Sequence, residues 1–304
     1  MTEPGAISLK ATGRGRRRLL ANRVAEGTAV LAAILAIAVL AVVIWSVGSR
    51  GVGAINVDFF LRRPSSDFFG GQGGIAPALV GSLLLVGVAT LIALPMGVLT
   101  ALFVSEFAPV RAAQQIRLWL DVLNGFPSIV IGIFVFTLAV KTKVPVLGIG
   151  HHQSAIAGGV SLAVIMLPLV ARSTMEVLRL VPNELREASY ALGVSRWQTV
   201  IRVVLPTSFG GILTGTTLAV ARAAGETAPL LFTCAIAGQV VDWNPSHSVQ
   251  SIPLTIFNYS ESADPALHRQ AWAAAFVLIL FVLVSSLTAR LQLERSRKKL
   301  GLQR

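Results

Sequence analysis

The chain is 304 residues long, 54% apolar and only 13% charged, with a formal net charge of +12. Long uncharged runs and a strongly positive mean hydropathy exclude an ordinary soluble domain and place the chain in the membrane class. The basic charge does not point to nucleic acid: Lys10, Arg14, Arg16, Arg17, Arg18 and Arg23 precede the first apolar run, and Arg290, Arg295, Arg297, Lys298, Lys299 and Arg304 follow the last, the usual pattern of cytoplasmic ends flanking membrane spans.

Residues 1–26 read as a basic tail. No short apolar core with a small-residue cleavage site follows it; Gly27–Ser49 is uncharged over a length that crosses a bilayer and reads as a retained helix. Residues 50–74 form a loop rich in Gly, Phe and polar residues. The second apolar run, Ile75–Ser105, exceeds what a span needs, and Pro95 inside it predicts tilt or a kink. Glu106, Arg111, Arg117 and Asp121 mark a polar loop.

The third run, Val122–Val140, is interrupted near its start by Gly125-Phe126-Pro127. A helix beginning near Pro127 either exposes free backbone N–H groups to a cavity inside the bilayer or is a short helix with proline in its first turn; both readings stand. The loop Lys141–Ser154 carries His151 and His152, which point apart on any regular element and have no Cys, Asp or Glu nearby, so no metal site is expected. The fourth span covers Ala155–Ala171 and ends at Arg172. A polar stretch, Pro182–Pro206, separates it from the fifth run, Phe209–Ala237. That run contains Gly211 and Gly215 at a spacing that permits close helix approach, and also Arg222 and Glu226. Cys234 has no partner cysteine and reads as a small buried residue. A polar loop reaches Arg269, the sixth span is Gln270–Ala289, and residues 291–304 form a second basic tail.

Six spans put both termini on one side, together with the 106–121 loop and the polar stretch. Every Lys and Arg lies on that side except Arg50, Arg62, Arg63, Lys141, Lys143 and Arg269, with Arg222 inside a span. The positive-inside rule therefore makes that side cytoplasmic.

Within Pro182–Pro206, Leu185, Ala188, Ser189 and Leu192 recur at helical spacing and give one face small and apolar; Glu184, Arg186 and Glu187 occupy the rest. Pro182 favours a helix start just after it and Gly193 a left-handed stop. Ser195 opens a second helix, with Gln198 completing a capping box. Such a projection is either a docking knob or a helical loop, and composition does not decide between them.

Arg222 and Glu226 are four apart on one expected helix and can pair. Each charge in hydrocarbon costs about 3 kcal/mol on insertion scales, so the pair either serves packing or places a cation on a solute path. A guanidinium fork suits phosphate or carboxylate oxygens. No GxxxxGK[ST], HExxH or GxSxG occurs, so energy for uphill movement has to come from a partner or from coupled ions.

The 182–206 stretch resembles the cytoplasmic loop of bacterial ABC importer permeases: E-A-A, three residues, G, nine residues, I, one residue, L-P. Here it reads Glu187-Ala188-Ser189, Gly193, Val203-Val204-Leu205-Pro206, with Ser for the second Ala and Val for Ile. Within that family, GGIAPALVGSLLL at 73–85, GFPSIVIGIF at 125–134 and ARAAGETAPLLFT at 221–233 are similar to phosphate-specific permeases of the PstA type. The resemblance covers about 73–289.

The resemblance implies an all-α transmembrane fold, a six-helix bundle of the type I ABC importer permeases with a cytoplasmic coupling helix, its permease domain spanning 75–290. It assigns Glu187, Ala188, Ser189, Gly193, Leu205 and Pro206 to docking on an ATPase. Phosphate passage falls to Arg222 and Glu226, with Thr227, Pro127, Ser128 and Arg172 as further candidates for the path. It implies a multi-pass protein of the bacterial inner membrane with no enzymatic activity and no cofactor of its own, ATP and Mg being bound by the partner. The expected partners are a second permease of the PstC type, two copies of the ATPase, an extracytoplasmic phosphate-binding protein and the lipid bilayer. Two rivals remain: a permease for another oxyanion or polar solute, and a membrane sensor or scaffold that carries nothing.

Overall fold

A computed structural model describes residues 14–64, 73–141, 152–234 and 240–299, and the regular structure among them is entirely helical. Parts of both expected tails (1–13 and 300–304), part of the 50–74 loop, the loop positions Lys143 and His151, and the end of the fifth run (235–239) lie outside the described residues. The chain divides into two compact units, 1–49 and 50–304. The first unit consists of α1 (Arg14–Gly51, which ends just past the unit), a helix whose Leu31, Leu35, Ile37, Val42 and Trp45 are exposed, as a bilayer solvent allows.

The second unit begins with α2 (Val57–Leu61), capped by Asn56, whose Oδ1 accepts from the Phe59 N–H. Next come α3 (Ala76–Leu102), closed by a π-helical turn at Phe103–Phe107, α4 (Val110–Gly125) and α5 (Ser128–Phe136), prolonged by a π turn at Thr137–Lys141. After α6 (Ala155–Arg179), two short helices follow, α7 (Asn183–Ala191) and α8 (Arg196–Thr199). A π turn at Val200–Val204 leads into α9 (Leu205–Ala223). Pro206 can neither donate to the preceding turn nor fit its ring against it, and the wider turn just before it accommodates both facts. The chain closes with α10 (Leu230–Thr233), α11 (Ile252–Ser260) and α12 (Pro265–Lys299).

Among the described residues five helices are long and apolar enough to cross a membrane, and α4–α5, bent by 96° at its break, makes a sixth if taken as one span. This is the expected number, but the segments differ: α1 begins at Arg14, inside the expected tail, and α12 runs from Pro265 to Lys299, past both ends of the expected sixth span. The 106–121 segment, expected as a loop, is largely α4, because Ala113, Ile116 and Leu120 recur at helical spacing and pack inward. The fourth span continues through Arg172 to Arg179. The fifth run breaks after Ala223 instead of continuing to 237, at a turn containing Gly225 and Pro229. The loop before Arg269 contains α11, whose Ile252, Leu254 and Thr255 are buried.

Helix α6 is the axle. Of its apolar stretch 67% is buried, against 22% for α3 and 17% for α12. Small residues let α3 approach it: a Cβ on Gly158 would lie 2.4 Å from Leu85 Cδ2, and one on Gly97 2.8 Å from Val170 Cγ1. On the other side, Gly211 and Gly215 of α9 receive Val177 and Ser173 of α6, so the expected close approach is real. Leu85, Ala89, Leu162, Met166, Val170, Ala219 and Leu254 form the central core. A second core, with Leu102, Val104, Leu120, Met175, Leu178, Val200 and Val204, joins the end of α3, α4, the end of α6 and the approach to α9 at one end of the bundle.

Candidate functional site

The helix pair at 183–204 is built as its residues dictate. Asn183 starts α7 directly after Pro182, Glu184 sits in the first turn where the helix dipole favours an acid, and Gly193 has φ +75°. A Cβ at Gly193 would meet open space, so glycine is required there by backbone conformation alone. Ser195 and Gln198 form the expected capping box. The Thr199 hydroxyl donates to the Ser195 carbonyl (3.1 Å), which leaves the Ser189 hydroxyl to donate to Thr199 Oγ1 at 2.8 Å. Ser189, the departure from the E-A-A pattern, is thus buried and laces α7 to α8. The rest of the expected apolar face points outward: Leu185 is 43% and Leu192 83% exposed, and Glu187 and Ala188 are exposed beside them. Leu205 and Pro206 open α9 at the root of the pair.

Arg186, read from the sequence only as a polar position, is the anchor beneath. Its Nη1 donates to the Val181 carbonyl at 2.7 Å and Asn183 Oδ1 at 3.3 Å, and its Nη2 to the Leu178 carbonyl at 3.0 Å and Glu106 Oε1 at 2.9 Å. The side chains of both charged residues are largely buried, at 15% and 6% exposed. The Leu178 carbonyl is in the last turn of α6 and the Val181 carbonyl lies just past its end, where the helix dipole favours a cation. No sequence signal joins Arg186 to a glutamate eighty residues earlier.

The candidates for a solute path lie around two breaks. At the first, α4 turns into α5 at Phe126-Pro127; Pro127 is exposed, Ser128 is half-buried, and the Pro127 carbonyl accepts from the Val130 N–H. At the second, the Gly225 N–H bonds the Arg222 carbonyl and the Glu226 N–H the Ala223 carbonyl, so the chain curls back on the end of α9. The Thr227 carbonyl then receives the N–H groups of Leu230 and Leu231, which start α10. Glu226 is therefore not on the helix that carries Arg222, contrary to the expected shared face. The turn nevertheless brings them together, with Arg222 Nε 3.7 Å from Glu226 Oε1; Arg222 is 55% exposed and Glu226 20%. Helix α5, which follows the first break, packs against the second: a Cβ on its Gly132 would lie 2.6 Å from Pro229 Cα.

Arg172 stands apart from this pair. It is ion-paired with Asp121 in a polar cavity of about 260 Å³ that also holds Arg117, Glu176 and Arg179. Gly215 of α9 is level with Ser173 of α6, and Arg222 lies seven residues further along. At the helical rise, Arg222 and Arg172 sit at levels about 10 Å apart.

The 240–251 segment closes the other end of α6. The Ala155 and Ile156 N–H groups bond the His247 and Pro245 carbonyls, and His152 Nε2 contacts the Ser246 carbonyl at 2.8 Å. His247 Nδ1 is 2.6 Å from Asp242 Oδ2, and the Asn244 N–H donates to Asp242 Oδ1. The Asn244 amide, aided by His247, holds the Asp242 carboxyl below the usual carboxylate range. Cys234 is buried as expected, its thiol directed at the Val249 carbonyl. Among the described residues no three metal-ligating side chains converge.

Residues 93–298 match the family described as "Binding-protein-dependent transport system inner membrane component". The "Phosphate transport system permease protein PstA" of Haemophilus influenzae is 38% identical over 271 residues, 89% of this chain and 93% of that protein. "Phosphate transport system permease protein PstA 1" of Mycobacterium tuberculosis is 37% identical over 278 residues, 90% and 88% of the two chains. Among solved structures, a bacterial alginate ABC transporter in complex with a pentasaccharide-bound periplasmic protein aligns over 91% of this chain and 96% of the other, with TM-score 0.59 and 14% identity. The inward-facing MetNI methionine ABC transporter aligns over 72% and 94%, with TM-score 0.53 and 18% identity. At such identities these structures speak for the fold alone.

Proposed function

The chain belongs to the family of binding-protein-dependent transport system inner membrane components, and from that premise we propose that it is the permease subunit of an ATP-driven importer, forming part of the path for inorganic phosphate across the inner membrane. Phosphate as cargo is supported by relatives of that name, 34–38% identical over about nine-tenths of the chain. The observation in the fold that carries the transport reading is the 183–204 helix pair, fastened to the bundle on its inner side while its apolar face is left uncovered.

That face suits an ATPase subunit, which binds the ATP and Mg that this chain has no loop to hold. A binding protein delivers solute on the opposite side. We assign the second permease to the PstC type, with two ATPase copies below the pair. We put both termini and the 183–204 helices in the cytoplasm, a reading supported by the distribution of Lys and Arg. The meeting of 106–121 with 172–186 at one end of the bundle agrees with that placement, since the two segments have to share a side. Closure of the ATPases moves α7, and the helices behind it exchange inward- and outward-facing arrangements.

Arg222 offers phosphate a planar donor fork, and Glu226, near enough to compete for the guanidinium, keeps that hold transient. The Pro127–Ser128 break, Thr227 and, about 10 Å further on, Arg172 complete the candidate path. The test is phosphate uptake by a reconstituted complex carrying Arg222→Ala, with assembly verified by co-purification. Uptake should fall by at least about tenfold, as for loss of a charged hydrogen-bonding partner; uptake near wild type would remove Arg222 from the path.

A further inference from the structure

The last turn of α3 touches both helices of the coupling pair through two consecutive residues. Glu106 receives Arg186 of α7 at 2.9 Å. The Phe107 ring lies beneath the Arg196 guanidinium, 5.5 Å from its centre, and packs at 5.9 Å on the ring of Trp197 in α8. Both residues belong to the π turn Phe103–Phe107. Its extra residue changes the direction in which the turn's side chains leave the helix, and such turns concentrate at functional positions. Ser189 and Thr199 tie α7 to α8. Beyond the turn, α3 lies along the axle helix α6 through its glycine contacts.

We propose that Glu106 and Arg186 are positioning residues for energy coupling: the buried pair fixes the angle of the coupling helices on the end of α3 and makes α3 the lever that carries their displacement to the solute path. This rests on the reading of α7 as the ATPase-docking helix. A surface ion pair would be too weak and too loosely held for this task. Here four donor contacts from one planar guanidinium define a single orientation relative to α3 and α6 at once. If the arginine only capped the carbonyls of α6, Glu106 would be dispensable; a lever needs it.

The experiment is phosphate moved per ATP hydrolysed, measured in proteoliposomes holding the complete complex, for wild type, Glu106→Gln, Arg186→Gln and Arg186→Lys. Glu106→Gln keeps the side-chain size and leaves every carbonyl contact of Arg186 in place, so the complex should assemble and hydrolyse ATP. The new amide can still accept from Arg186 but carries no charge, so the ratio should drop by about fivefold, the scale of the difference between a charged and a neutral hydrogen bond. Arg186→Lys, which keeps the charge but loses the fork, should fall between Glu106→Gln and wild type. An unchanged ratio, or uptake and hydrolysis declining in parallel, would show a structural pair and overturn the proposal. So would failure of all three variants to assemble. A wild-type complex that hydrolyses ATP but moves no phosphate would instead sink the importer reading, and the inference with it.

Discussion

Arg222 and Glu226 meet across a turn, so the pair is less rigid than one set on successive turns of a helix, and at 3.7 Å it is a loose contact. On the proposed reading that looseness suits Arg222, which would exchange its carboxylate for a passing anion. It also separates charge from shape: Arg222→Lys should retain a measurable part of phosphate uptake where Arg222→Ala does not, because lysine supplies charge without the planar fork. At this scale the sequence carried the types of residue but not their partners. A lone Arg–Glu pair in an apolar run was legible from the cost of burying charge. Arg186 was not, since nothing local marks a side chain that reaches Glu106 and two carbonyls at and just past the end of α6. Ser189 looked like a mild replacement for alanine, and its bond to Thr199 appears only once α7 and α8 are folded against each other.

Among the elements, the coupling pair was the most legible, because proline, glycine and a capping box each act within a few residues. Its glycine gives a graded prediction. Gly193 holds φ +75° with open space around it, so Gly193→Ala should cost about 1–2 kcal/mol through the left-handed conformation alone. Asparagine should be milder and valine worse, and ATPase stimulation by the loaded binding protein should weaken in that order. Equal stimulation across the series would show that the turn's shape does not matter to docking. By contrast, α4, α11 and the break after Ala223 were illegible to a reading based on apolar runs. Amphipathic α4 averages to a polar segment, α11 is a short apolar stretch within a polar loop, and the turn at 224–229 interrupts an apolar run without changing its composition.

The 240–251 segment has its own pH signature. The Asp242 carboxyl titrates below its unfolded value, so its contribution to holding the segment is complete above the ordinary carboxylate range and is lost as pH falls through the lowered value. Protection of the Ala155 and Ile156 amides, which this segment caps, should therefore persist through mild acid and fail only in strong acid. Loss of protection already near neutral pH would show that the Asp242 carboxylate does not hold the segment.

At the scale of the whole molecule, charge distribution and the number of apolar runs were enough to recognise a multi-pass membrane protein, and the resemblance of the 182–206 stretch supplied the inner-membrane transport family. The cargo is a different kind of statement. The bundle, its axle helix and its coupling pair suit any importer of this family, and the aligned transporters of methionine and alginate share the fold at 14–18% identity. Phosphate is favoured by the relatives' likeness, and on the proposed reading Arg222 and Glu226 at the second break are the residues that would recognise it. The most direct test is uptake of labelled phosphate into proteoliposomes containing the complete complex, with ATP on the ATPase side and binding protein on the other, against excess unlabelled phosphate or sulfate. The account predicts ATP-dependent accumulation that unlabelled phosphate abolishes and sulfate leaves standing. Accumulation that sulfate suppresses as well as phosphate does, or ATP hydrolysis with no accumulation at all, would contradict it.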